Sequence, residues 1–250
     1  MNLLKCPKCG HVRSPEENGT PGSCSECGLV FDKWAQRDSF VPSSRRQAEE
    51  TEEPAWRAAL WERLEHVPER VDASYIYGRA VLLLMFLVWG ARLALMDYRD
   101  GEMGSSFMHA ILLPIHEAGH VLFIPFGQFM TILGGSLFQL LLPLIAAATV
   151  LWQNRDPFGA ALGVWWCGVS MMDLAAYIYD AKSPQLTLLG GHTGEDGPHD
   201  WIYLLDVFGE VQQSQSYGAI VYWLGVFLML AGLVWAARVL WRMRSIRAAA

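Results

Sequence analysis

Residues 116–120, His-Glu-Ala-Gly-His, hold the densest chemistry in this 250-residue chain. Residues four apart on a helix share a face, so His116 and His120 can grip one metal ion while Glu117 leans beside it. Such a site uses neutral imidazoles and keeps a position for water. Zn²⁺ in that place lowers the water's pKa to about 7, and Glu117 takes its proton as the hydroxide attacks a carbonyl. Glu117 then hands the proton to the leaving amine. The surrounding stretch, "LLPIHEAGHVLFIPFG" at 112–127, is otherwise apolar. A carboxylate and two imidazoles are costly in a membrane helix without a partner or an aqueous cavity, so the motif reads as a metal site. Pro114 removes a backbone hydrogen bond just before it, where the helix is expected to open to water.

A catalytic zinc wants a third protein ligand. Asp173 and Asp180 are candidates, both in "SMMDLAAYIYDAK". They stand nearly two turns apart on one helix face, about 10 Å along its axis. Counting from the adjoining turns, Asp173 sits at the depth of the histidine pair and Asp180 nearer the boundary. His199 in "GEDGPHDW" is the third candidate, with Asp200 placed to orient its ring.

A second cluster lies near the N-terminus. Cys6, Cys9, Cys24 and Cys27 form two Cys-x-x-Cys pairs separated by 14 residues. Four thiolates on this spacing match a closed tetrahedral Zn²⁺ site of the zinc-ribbon type, with His11 left as a loop residue. Gly10 and Gly28, each following a second cysteine, let the backbone turn amides toward sulfur. The segment is too short for its own apolar core, so metal would supply most of its stability. A closed site offers no place for substrate, so this module recruits or positions and does not catalyse. The opening "MNLLKCPKCG" has no apolar run before its cysteines, which favours zinc over disulfides. The fifth cysteine, Cys167, reads as a small buried apolar residue.

The elements that must position these groups follow from composition. The chain is 52% hydrophobic with eleven tryptophans. Residues 1–79 carry 11 Lys/Arg against 13 Asp/Glu, and long stretches afterwards carry almost none. No basic cluster outweighs its neighbouring acids, so nucleic acid is not an expected partner. Apolar runs at about 75–96, 106–126, 129–152, 158–180 and 217–241 are each long enough to cross a bilayer as a helix. The reading is an α-helical polytopic membrane protein of about five transmembrane helices with a small N-terminal zinc ribbon. Its parts are the ribbon (1–34), a linker (35–72), the membrane-embedded domain (73–241) and a basic tail (242–250). "RDSFVPSSRRQAEETEEP" is linker-like, and "AWRAALWERLEHV" repeats Trp56, Leu60 and Leu64 at helical spacing, as an interfacial helix or one packed on the ribbon would.

Orientation poses a conflict. Arg57, Arg63, Arg70 and Arg79 argue for a cytoplasmic N-terminal side, and Arg238, Arg242, Arg244 and Arg247 for a cytoplasmic C-terminal side. Five crossings cannot satisfy both. Either one run is re-entrant or the 181–216 segment, with "LTLLGGHTGEDGPHDWIYLLDVFG", dips into the membrane.

The order of motifs resembles the site-2 protease family of intramembrane zinc metalloproteases. "HEAGH" is followed by a helix with a glycine pair, "ILGGSLFQLLLP" at 132–143, then by "DLAAYIYDA" at 173–181. The first motif matches fully. The third departs from the family's Asn-x-x-Pro-x-x-x-Leu-Asp-Gly: Asp173 stands near the Asn, Tyr177 in the Pro region, and Asp180 arrives one residue early without a following Gly. Motif register favours Asp180 as ligand and depth favours Asp173. The resemblance covers about residues 106–181 and implies hydrolysis of peptide bonds in membrane proteins, with the ribbon engaging a protein partner or substrate. It leaves "GGHTGEDGPHDW" without a counterpart. The competing expectation is a non-catalytic metal-binding membrane scaffold or protease relic. A metal or ion transporter would need polar residues on several helices, and the first and fifth runs have few away from their ends. The expected location is the cell (inner) membrane with the ribbon cytoplasmic.

Overall fold

The computed structural model describes residues 5–12, 22–35, 54–68 and 72–249. The chain divides into two compact units, 1–58 and 59–250. Of the linker expected at 35–72, residues 36–53 and 69–71 lie outside the described residues.

In the first unit, two knuckles repeat one design. Cys6 N donates to His11 O and Gly10 N to Cys6 O; Cys24 N donates to Leu29 O and Gly28 N to Cys24 O. Isolated antiparallel bridges, Lys5 with Val12 and Ser23 with Val30, close the knuckles. Gly10 and Gly28 take φ values of 78° and 68°, the left-handed turn that a side chain would strain. A short helix α1 (Phe31–Ala35) follows, and Phe31 is buried with Cys6 and Cys24.

Helix α2 (Ala55–Leu64) forms where the Trp/Leu spacing predicts one, with Trp56 and Trp61 exposed. Beyond it the described residues of the second unit include five helices long and apolar enough to cross a membrane. These are α3 (Ala73–Ala94), α4 (Phe107–Phe123), α5 (Gln128–Gln153), α6 (Pro157–Asp180) and α8 (Ser214–Ala249), with a short α7 (Asp200–Asp206) before the last. They match the five apolar runs closely, because a chain in hydrocarbon must satisfy its backbone groups within each helix. Helix α6 is the centre, with most of its side chains buried.

Small residues set the closest packing. Gly218, Gly225 and Gly232 recur every seven residues along α8 and face α6. A Cβ on them would stand 2.8 Å from Tyr179, 2.7 Å from Gly168 O and 2.7 Å from Ala161 O respectively. Between apolar helices in lipid such backbone approach supplies dispersion contact that hydrophobicity cannot. Helices α4 and α5 cross in the same way: a Cβ on Gly119 would lie 2.2 Å from Gly134 O.

The connections fix which ends lie together. Helices α5 and α6 are antiparallel, joined by the turn 154–156. At that end Arg79, near the start of α3, pairs with Asp156 at 2.9 Å. Arg63 donates to Trp152 O, and Ile76 is buried with Phe158, Val239 and Met243, so the finish of α8 lies there too. At the opposite end Tyr98 stacks on Tyr222 and meets Tyr179 edge-on. A Cβ on Gly101 would touch Leu186, beyond the end of α6. The chain then turns inward: Met103 and Met108 are buried with Leu93, Trp165, Val169 and Met172. Helix α4 therefore begins inside the bundle and climbs to Gly127, where α5 starts. Both ends of the 101–127 stretch lie at one end of the bundle. This path is the one that a re-entrant segment, one of the two resolutions of the charge conflict, would take.

Candidate metal centres

Helix geometry brings His116 and His120 together, their ring centroids 4.8 Å apart. The carboxylate that joins them is Asp200, at the start of α7. Its Oδ2 lies 3.0 Å from His116 Nε2 and 3.2 Å from His120 Nε2. Ligands on bonds of 2.0–2.1 Å in a tetrahedron are spaced about 3.3 Å apart, so these separations suit one small cation. The three side chains form a candidate metal site.

The outer ring nitrogens decide what faces inward. His120 Nδ1 lies 2.9 Å from Thr131 O, which can only accept. His116 Nδ1 lies 2.9 Å from Gln139 Oε1. The orientation of that amide is fixed by its other half, since Gln139 Nε2 donates to Asp173 Oδ2 at 3.0 Å and to Ser170 O at 3.4 Å. Both histidines therefore carry a proton on Nδ1, and as neutral rings they would aim Nε2 lone pairs at a carboxylate oxygen. In that state three electron pairs would converge with no proton between them. A cation relieves that repulsion; the alternative is a second proton on each of two touching rings. Gly135 leaves room for the ion: a Cβ there would stand 2.6 Å from both Nε2 atoms. The donor set and the clear volume fit a divalent cation.

Asp200 is delivered by three anchors. Its backbone N donates to Tyr177 Oη at 3.0 Å. The neighbouring Trp201 Nε1 donates to Ser136 Oγ at 3.2 Å. His199, on the other side, caps α7 by accepting from Ile202 N, and its Nε2 faces Asp180 Oδ2 at 3.3 Å.

The three ligand candidates read from sequence occupy other places. Asp173 accepts from Gln139 and, through Oδ1, faces His109 Nδ1 at 2.9 Å, so it stands one residue behind His116. Asp180 Oδ1 accepts from Gln185 N and Leu186 N, which folds the chain back after α6. His199 is fully enclosed, with its ring 4.3 Å from that of Tyr177. Its relation to Asp200 is the reverse of that expected: His199 starts the helix that carries the acid to the histidines. Glu117 is half-buried beside the pair. Sequence reasoning missed Gln139 and Thr131 and gave Asp200 only a supporting role. Of these, Gln139 alone carries a local signal, as a polar residue within an apolar helix.

The four N-terminal cysteines converge as their spacing predicts. Cys6 Sγ and Cys27 Sγ are 3.7 Å apart, as are Cys9 Sγ and Cys24 Sγ. Tetrahedral thiolates at 2.3 Å from zinc stand about 3.8 Å apart, whereas a disulfide needs about 2.0 Å. All four are free thiols and could hold a metal ion. Burial raises the Cys6 thiol, but the amides of Cys9 and Lys8 turn toward its sulfur and bring it down to about 6. Cys167 is buried in α6, as expected.

No family model, curated protein or solved structure matches this chain.

Proposed function

We propose that this protein is an intramembrane zinc metallopeptidase, of the kind the site-2 protease resemblance implies, hydrolysing peptide bonds of membrane proteins. The observation that carries the reading is the convergence of His116, His120 and Asp200 beside Gly135, where a side chain would collide with both imidazoles. Two imidazoles and one carboxylate suit Zn²⁺ and leave a fourth position. Bound there, zinc supplies Lewis acidity to a water and to the substrate carbonyl. Glu117 takes the proton of the attacking water on its carboxylate and returns it to the amine nitrogen as the C–N bond breaks. Gln139 and Thr131 hold the imidazoles in their binding tautomers, and Tyr177 and Trp201 hold Asp200 over them. The cysteine module holds a second, structural zinc and recruits a protein partner or substrate.

On this reading four helices cross the membrane (α3, α5, α6 and α8) and α4 is re-entrant. The end bearing Arg63, Arg79, Arg155, Arg238 and Arg242 faces the cytoplasm. The N-terminal module is cytoplasmic and the metal centre lies toward the opposite face of the cell membrane, below a rim that carries Asp100, Glu102, Glu195 and Asp196.

The test is to purify wild type and Glu117→Gln, count metal per chain and assay cleavage of single-span membrane peptides. Two zinc ions in both forms, with cleavage in wild type alone, is the expected result. Two zinc ions without cleavage in either form would favour the non-catalytic scaffold, for which the same three side chains would staple α7 to the bundle. A single zinc ion, abolished by Cys6→Ser, would remove the membrane site.

A further inference from the structure

Asp173 is a carboxylate buried in a membrane helix, and the proposed hydrolysis does not use it as a ligand. Such a group is costly and is retained where it does something. Its surroundings form a short chain of hydrogen bonds leading to the metal centre. His109 Nδ1 meets Asp173 Oδ1 at 2.9 Å, and Asp173 Oδ2 accepts from Gln139 Nε2 at 3.0 Å. Gln139 Oε1 in turn meets His116 Nδ1 at 2.9 Å, and His116 Nε2 points at the ion position. Gln139 is the ambiguous member. An amide turned by 180° would present N–H to His116 Nδ1, move the ring proton to Nε2 and block the metal-binding lone pair. Ser170 O opposes that turn only weakly, at 3.4 Å.

We infer that Asp173 is a positioning residue for the metal centre: it locks the Gln139 amide so that His116 is held in its metal-binding tautomer, while His109 balances the buried charge. The inference rests on the zinc reading given above. It assigns to the conspicuous membrane aspartate a role through a neutral relay instead of coordination. The task needs an acceptor facing Gln139 Nε2, which Asp173 Oδ2 supplies.

The experiment is zinc competition against a chelator on the full chain in nanodiscs, with the cysteine-bound zinc as an internal reference. Wild type, Asp173→Leu, Asp173→Asn and the double variant Asp173→Leu/Gln139→Glu are compared. Outer partners of metal ligands typically change affinity ten-fold or more, so Asp173→Leu should weaken the membrane site about ten-fold and leave the cysteine site unchanged. Asp173→Asn can still accept from Gln139 and should stay within about two-fold of wild type. The double variant should recover, because the carboxylate introduced by Gln139→Glu has no donor to misdirect; misfolding caused by Asp173→Leu would not be rescued this way. Equal affinity in wild type and Asp173→Leu, an Asp173→Asn variant as weak as Asp173→Leu, or a double variant that fails to recover would each overturn the relay. Wild type holding only the cysteine zinc would instead overturn the metal site itself, a different result from an intact site indifferent to residue 173.

Discussion

At the residue scale, the metal centre depends as much on an absent side chain as on those present. A methyl group on Gly135 would fall 2.6 Å from both ligating nitrogens. We expect Gly135→Ala to abolish zinc binding at the membrane site while helix α5 persists, since alanine is the better helix former. Zinc content by mass spectrometry, with circular dichroism unchanged, checks this. His120→Ala should lose the same ion and keep the cysteine one. Glu117 was legible in the sequence because a carboxylate between two histidines in an apolar run has few uses. Asp200 was not, because 79 residues of chain separate it from His120 and only folding decides which of the nearby acids arrives.

At the element scale, two packing devices carry the site. The first is the α4–α5 crossing, where Gly119 and Gly134 bring the His-bearing helix against Gly135, Gln139 and Thr131. The second is the glycine repeat between α6 and α8. Forcing a large side chain into a filled interface typically costs about 1–3 kcal/mol. Gly225→Leu should lower stability by about that amount and reduce the thermal midpoint in detergent. Helix α7 is the more delicate element: seven residues long, it is held by Trp201, Tyr177 and the His199–Asp180 pair. Trp201→Phe removes the hydrogen bond to Ser136 but keeps most of the ring. Hydrogen exchange should then rise across residues 200–206 without a change in α5 or α6. The apolar runs placed the long helices within a few residues of their observed ends, except that α8 continues through the basic tail to Ala249. Hydropathy sets the others. The short α7 has no such signal, and its segment read only as a Gly-rich loop with surplus acids.

At the scale of the whole molecule, the path of the chain through the bundle decides its topology. Counting apolar runs gives five, and the arginines at both chain ends require an even number of crossings. The proposed re-entrant α4 reconciles the two. Single cysteines placed at Gly101, Gly127 and Glu195 in a background with all five native cysteines replaced should react with an impermeant thiol reagent from one side only. Cysteines at Asp72 and Arg247 should react only from the other. Labelling of positions 101 and 127 from opposite sides would mean that α4 crosses. Hydropathy cannot distinguish a crossing helix from a re-entrant one, since each needs the same apolar length; the proposal of re-entry rests on the burial of Met103 and the contact of Gly101 with Leu186.

By itself the sequence determined what local periodicity can determine. Spacing of four placed two imidazoles on one helix face, spacing of three made each cysteine knuckle, and runs of about twenty apolar residues made the long helices. These are properties of a few consecutive residues and the geometry of one element. Tertiary structure alone decided which acid meets the histidine pair, which amide faces His116, and that both ends of the 101–127 stretch lie together. Each of those depends on groups far apart in sequence meeting at distances near 3 Å, where a shift of one helical turn would substitute another residue entirely.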